Sequence, residues 1–360
     1  MNLLNDVEMS EPKKKRQHFV PKFYLRGFSF DGGNRLHLIL ADERKAIPRI
    51  GLKKQCYEDY FYGKDPKVEN ALQELEGGMA EVIRGISANQ RMPEPGTSHD
   101  FVFRTFVCLQ WGRTKFHAEM SEAGFDKMLK VAYGTFLRAQ GLTQEQIDEL
   151  RIGTENPGLL SLGMTSEIVP FIGDLGTKLV QAGDYGEFVT SDAPVVLYNP
   201  YLLGRYPGCV TGIGTRGLVI FYPISPKLLV VLYDRGCYRV GPSRARIVSI
   251  SNPDDLVAVN NFQFLHADNT VYFHNEASAN EYLKEFEKVS GMRRPDRNVV
   301  QEAKSATLGD TSSLLISYRA DLPYRPSLTF LSLLRRRRGE TGILEQIEER
   351  CPEISTLFEH

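Results

Sequence analysis

An α+β fold, mainly helical in its first half and carrying a mixed or antiparallel β-sheet over residues 186–275, is what this sequence predicts. Two observations carry that expectation. Before Gly186, apolar residues recur at three- and four-residue spacing; after it, short β-branched and aromatic runs are bounded by Pro, Gly, Asn and Asp. Helices and strands are thus segregated along the chain, which favours α+β over a regular βαβ alternation.

A chain of 360 residues with 42% hydrophobic and 25% charged residues can bury a sizeable core. We divide it into a flexible basic arm (1–16), a single α+β domain (17–290) and a C-terminal extension (291–360). The arm ends in Lys13, Lys14, Lys15 and Arg16, a run that reads as a solvated tail before it reads as an address. A net charge of -1 excludes a uniformly basic nucleic-acid binder, so any such role must be local. The five cysteines are scattered, with no CxxC pair, as expected of reduced structural thiols. No apolar signal core and no membrane-length apolar run is present, so a soluble cytosolic protein without a membrane partner is expected.

In order along the chain, Pro21 should start a short helix through Tyr24 and Leu25 that stops at Gly27, where a positive φ is cheap. "RLHLILAD" (35–42) alternates as a strand after the turn signal "DGGN". Val68, Leu72, Leu75, Met79, Val82, Ile83 and Ile86 mark a helix opened by Pro66, with Glu69 and Glu76 beside its apolar seam. A second helix from about Asp100 to about Glu122 would align Gln110, Arg113 and His117. Helices are also expected near 125–139, near 143–151, where Thr143 and Gln146 form a capping-box pattern, and near 166–182. "EFVTSDAPVVLYNP", "GLVIFYPIS", "KLLVVLYD" and "RARIVSIS" read as strands, "DDLVAVNNFQFLHAD" as a helix and "NTVYFHN" as a return to the sheet. Near the end, "LTFLSLLRRRR" and "GILEQIEERC" suggest terminal helices.

Residues 17–29 ("QHFVPKFYLRGFS"), "EDYFYG" (58–63), "VENALQELEGGMAEVI" (68–83), "LQWGRTKF" (109–116), "FVTSDAPVV" (188–196) and "FYPISP" (221–226) together resemble the bacterial domain-of-unknown-function 4238 family. The resemblance spans roughly residues 17–275 and rests chiefly on the His-x-x-Pro-x-Phe-Tyr-Leu opening and the Thr-Ser-Asp-x-Pro-Val segment. His266 and Asp268 depart from the helix ending usual there. The resemblance implies positions and no roles, so chemistry must come from residue types.

His18 beside Lys22 and Arg26, two cations four apart on one helical face, could present an imidazole and positive charge to a phosphate-sized anion. The same stretch, with Tyr24 and three phenylalanines, is equally a core anchor. Glu69 and Glu76 are candidates for metal ligands or an acid/base pair, with Glu69 equally placed to favour its helix N-terminus, and Glu76 with Asp192 could hold a divalent metal or orient His18. Asp192 in "TSDAP" is also a common turn former, and Glu76 the bland partner for Arg113. No phosphate loop, HExxH, GxSxG or dinucleotide fingerprint is present, and "GIGTRG" (212–217) precedes a strand, the wrong context for a phosphate cradle.

Two functions follow. One is a nuclease-like hydrolase of a phosphate-containing substrate, with His18, Glu76 and Asp192 catalytic and Lys22, Tyr24, Arg26 and Arg113 holding the substrate. The other is a non-catalytic module in which the same cations and the arms around Lys13–Arg16 and Arg335–Arg338 bind nucleic acid or an acidic protein, the carboxylates being structural ion partners. Convergence of the site residues in one cleft is what separates them.

Overall fold

The computed structural model describes residues 15–206, 209–293, 298–304, 313–334 and 350. The elements before the sheet region are β1 (Arg16–His18), α1 (Lys22–Arg26), β2 (Arg35–Leu40), β3 (Lys45–Gly51), β4 (Tyr57–Asp59), α2 (Pro66–Asn89), α3 (Ser98–Gly112), α4 (Lys115–Ala139), α5 (Gln144–Glu149) and α6 (Pro157–Glu167). Then follow β5 (Gly176–Gln181), β6 (Thr190–Ser191), β7 (Val196–Tyr198), β8 (Val219–Ser225), β9 (Leu228–Tyr233), β10 (Tyr238–Val240), β11 (Ile247–Ser249), α7 (Pro253–His266), β12 (Thr270–Phe273), α8 (Ala279–Val289), β13 (Asn298–Lys304), β14 (Ser313–Arg319) and β15 (Leu331–Leu333). This is the α+β class that the segregated pattern predicts.

The larger sheet has the order β11-β5-β9-β8-β7, antiparallel except for the parallel β11–β5 pair. Along its central strands, apolar residues alternate between two cores. Ile220, Tyr222, Val230 and Leu232 face a core shared with Leu72, Met79, Phe103 and Phe106 of α2 and α3. Val219, Phe221, Leu229 and Val231 face the opposite core, with Val259 and Phe262 of α7 and with Leu328 and Phe330. Both faces being covered explains why these strands read as continuous apolar runs. The smaller sheet, β3-β2-β12-β6, is wholly antiparallel and packs on α7 and α8 through Ile39, Val271, Phe264 and Phe286.

Helix α7 is buried on nearly every side, and its polar residues act as clamps. Asn260 accepts from Val189 N (2.9 Å) and donates to Glu187 O (2.9 Å), while Gln263 accepts from Ser191 Oγ (2.9 Å) and donates to Pro194 O (2.9 Å). Asp255 accepts from Thr329 N at 2.8 Å, which brings the segment after β14 into the second core.

Several sequence expectations are corrected. The helix expected over 100–122 is two helices, broken where the Thr114 side chain caps α4 by accepting from His117 N (3.4 Å). Arg113 falls in the break, so Gln110, Arg113 and His117 do not share a stripe. The stretch 166–182 is not a helix: Pro170, Gly173 and Gly176 interrupt it, and 176–181 becomes β5 in the middle of a sheet. Gly27 has φ -60, and its role is close approach: a Cβ there would lie 3.1 Å from both Ile224 O and Tyr24 O. "LTFLSLLRRRR" supplies β15, paired with β10, in place of a helix. Lys15 and Arg16 are held, by an ion pair to Asp59 (3.1 Å) and by pairing of β1 with β4. Lys13, Lys14, Arg335–Arg338 and "GILEQIEERC" apart from Arg350 lie outside the described residues. The capping box at Thr143 and Gln146 forms as its sequence indicates.

The α3–α4 break is locked by α6. Ser161 Oγ donates to Gly112 O at 2.6 Å, and a Cβ on Gly112 would collide with the Thr165 side chain. Gly112→Ala should therefore overpack this crossing and cost about 1–3 kcal/mol, read from urea unfolding. A loss below about 0.5 kcal/mol would mean that α6 can retreat and that the close approach is dispensable.

Candidate functional site

Arg113 is the centre of the candidate site. Placed by the break after α3, its side chain is 1% exposed. Nε donates to Gln110 Oε1 at 3.0 Å, Nη2 donates to Glu76 Oε1 at 3.0 Å, and the guanidinium lies 5.4 Å from the Phe106 ring centroid. Gln110 completes the chain by donating from Nε2 to Phe19 O at 3.0 Å. Among the described residues the third guanidinium nitrogen, Nη1, has no partner. Glu76 is 23% exposed, so the pair runs from the interior towards solvent.

Three further polar atoms around this pair are buried without a hydrogen-bond partner among the described residues: His18 Nε2, Tyr62 Oη and Tyr222 Oη. The charge of Arg113 acts on all three groups, and that of Glu76 on both tyrosines. Burial pushes both phenols up and keeps them protonated. Burial, followed by the charges of Lys22, Arg113 and Arg16, lowers the His18 pKa to about 4, against a backbone hydrogen bond at Lys53 that favours the charged ring. His18 is thus a neutral imidazole at physiological pH, surrounded by positive charge. Buried polar groups are normally paired, so three orphans around one guanidinium mark a place for a polar ligand or ordered water.

Local structure explains how the opening motif reaches this point. Gln17 bridges to the turn after β4, accepting from Tyr62 N (2.6 Å) and donating to Gly63 O (2.8 Å), while Phe19 N donates to Cys56 O at 3.0 Å. His18 is held between them at the end of β1, its ring 5.7 Å from that of Tyr57. Lys22, at the start of α1, is half-buried and close enough to depress the His18 pKa.

The structure thus links His18, Lys22, Glu76 and Arg113 through charge and hydrogen bonds, keeps Tyr24 beside them in a packing role, and gives Arg26 and Asp192 other surroundings. Tyr24 is a tether: its hydroxyl donates to Pro223 O (2.6 Å) and accepts from the Thr190 hydroxyl (2.6 Å), and its ring stacks on Tyr222 at 5.1 Å. Its expected substrate-binding role yields to packing. Arg26 is exposed, its stem near Gly33. Asp192 Oδ1 accepts from Asp268 N, and Oδ2 from Asn269 N and Thr270 N, each at 2.8 Å. Burial and then the Asp268 charge push its pKa up to about 7, against those three amides. Asp192 therefore clasps the α7–β12 turn and does not orient His18. The joint metal site expected of Glu76 and Asp192 is corrected on the same ground, since each carboxylate holds a different partner. No group of three or more potential metal ligands occurs among the described residues.

Sequence reasoning missed Tyr62 and Tyr222. Both lie in segments that carry the family resemblance, "EDYFYG" and "FYPISP", but an aromatic in an apolar run gives no sign that its hydroxyl will be orphaned. A family model described as "Protein of unknown function (DUF4238)" matches residues 16–277. The chain belongs to this family. No curated protein and no solved structure matches it. Every residue of the Arg113 cluster lies inside the DUF4238 match, as does the Tyr24–Thr190 tether.

The state of His18 makes a pH prediction. Its folded pKa, about 4, lies below the ordinary histidine value of 6.5, so its contribution is fully present above pH 6.5 and is lost as pH falls towards 4. Wild-type stability should decline relative to His18→Gln across that window, measured by urea unfolding at successive pH values. Parallel curves would place the imidazole in open solvent.

Proposed function

We propose that this DUF4238 protein is a cytoplasmic hydrolase of a phosphate-containing substrate, nuclease-like in chemistry, working at the His18–Arg113 cluster. The observation that supports it best is His18 Nε2, buried and unpartnered, beside the charges of Lys22 and Arg113. Lys22 and the spare Nη1 of Arg113 hold the phosphate; Glu76 keeps the guanidinium in place from the solvent side. A free His18 with its pKa near 4 is a weak base. An anion bound between the cations offsets the charges that hold that pKa down, so the base strengthens as substrate arrives. A water proton then passes to Nε2 while the water oxygen attacks phosphorus and the ester oxygen leaves, and the imidazolium returns the proton to the leaving oxygen. Tyr62 and Tyr222, kept protonated by burial, donate to the charge that develops on the phosphoryl oxygens.

The test uses the full chain with bis(4-nitrophenyl) phosphate and with single-stranded oligonucleotides. Cleavage is expected; His18→Gln should lower kcat by about 100-fold or more, and Arg113→Lys should mainly raise KM. Oligonucleotide binding without cleavage, unchanged in His18→Gln, would favour the binding-module reading and remove the catalytic one.

A further inference from the structure

A cavity of about 170 Å³ opens between α4, β7, the loop before β8 and the end of α7, with Trp111, His117, Leu197, Cys209, His266 and Tyr318 among its walls. The helix break that isolates Arg113 also turns His117 into this space. His117 is 5% exposed, its ring centroid 4.2 Å from that of Trp111 and its edge against Phe116. Its backbone N caps onto Thr114, but among the described residues neither ring nitrogen has a hydrogen-bond partner. A nine-tenths buried imidazole facing a cavity with nothing to bond is an unfinished contact.

We infer that this cavity binds a small neutral nitrogen heteroaromatic, a single ring or a compact fused pair, hydrogen-bonded to His117. Three properties of the walls select that class. The volume suits one or two small rings, since a cavity of about 150 Å³ accepts benzene. The lining, with Trp111 and Tyr318 among Val195, Leu197 and Met120, favours a flat apolar body. None of the described lining residues is a carboxylate or a cation, so a charged ligand would be buried without compensation. Burial also keeps His117 neutral, with a pKa lowered to about 3, so it always offers one N–H donor and one acceptor nitrogen. His266 forms part of the wall at the end of α7, its Nδ1 held 3.0 Å from the Phe262 carbonyl. The site shares none of its residues with the Arg113 cluster, and the inference does not depend on the phosphate reading.

Trp111 is the sole tryptophan of the chain, so its emission reports on this cavity alone. The full chain is titrated with benzimidazole and with indene, which has the same fused-ring shape and no nitrogen. Saturable change with benzimidazole is expected, with affinity at least about tenfold above that for indene. His117→Phe keeps the ring volume and should abolish that preference; Met120→Phe narrows the cavity and should weaken both probes, with melting temperatures certifying that the variants fold. No saturable response to benzimidazole, an equal response to indene, or a preference that survives in His117→Phe would overturn the inference. If His117→Phe fails to fold, the wild-type comparison and Met120→Phe still decide it.

Discussion

A guanidinium at the centre of a protein must have its charge compensated, and Arg113, paired through Nε and Nη2, imposes that constraint on much of this fold. Its position requires α3 to end at Gly112, and that end requires a glycine because α6 crosses there. Gln110 must turn inward to accept from Nε and to reach Phe19, and Glu76 must come from a different helix. Removing one partner of such a buried pair leaves an uncompensated charge, which is typically far more costly than the intact pair is stabilising. The arrangement therefore reads as a device for holding charge at a chosen point.

The density of aromatic and basic residues at 17–29 follows from the same geometry. Phe19, Tyr24, Leu25 and Phe28 are core, and the tyrosine hydroxyl ties α1 to both sheets through Thr190 and Pro223. On that anchored segment His18 and Lys22 are carried to the guanidinium. The motif is thus neither an anchor nor a site alone: its apolar residues fix the position of its polar ones. Thr-Ser-Asp answers it from the other side, each residue holding a different element, with Thr190 on α1, Ser191 on α7 and Asp192 on the turn into β12.

Elements with a strong local apolar signal, periodic or continuous, were legible in the sequence. Helix α2, the strands at 219–225 and 228–233, and helix α7 needed only spacing and their flanking prolines, glycines and asparagines. What was not legible depended on distant packing. The break at Arg113 is enforced by α6, and β5 is a strand because two other strands accept it. At the site, His18, Lys22, Glu76 and Arg113 could be singled out by residue type alone. It could not separate Asp192 from them, because a carboxylate that binds backbone amides looks in sequence like one that binds a metal. Nor could it show Tyr62 and Tyr222, whose chemistry comes from what does not reach their hydroxyls.

The tether of Tyr24 to Pro223 joins positions 199 residues apart. A chain leaves the ribosome from its N-terminus at about 5–20 residues per second, so that partner follows roughly 10–40 s later. Throughout that interval the segment bearing His18 has its aromatic residues but not the strands that bury them. Helices α2 to α6 can form meanwhile from local contacts, yet the charged centre closes only when β6 and β8 arrive. Assembly of the site is thereby coupled to synthesis of the sheet, and a fragment that stops before β8 carries the residues of the cluster without the Tyr222 wall or the tether that closes it.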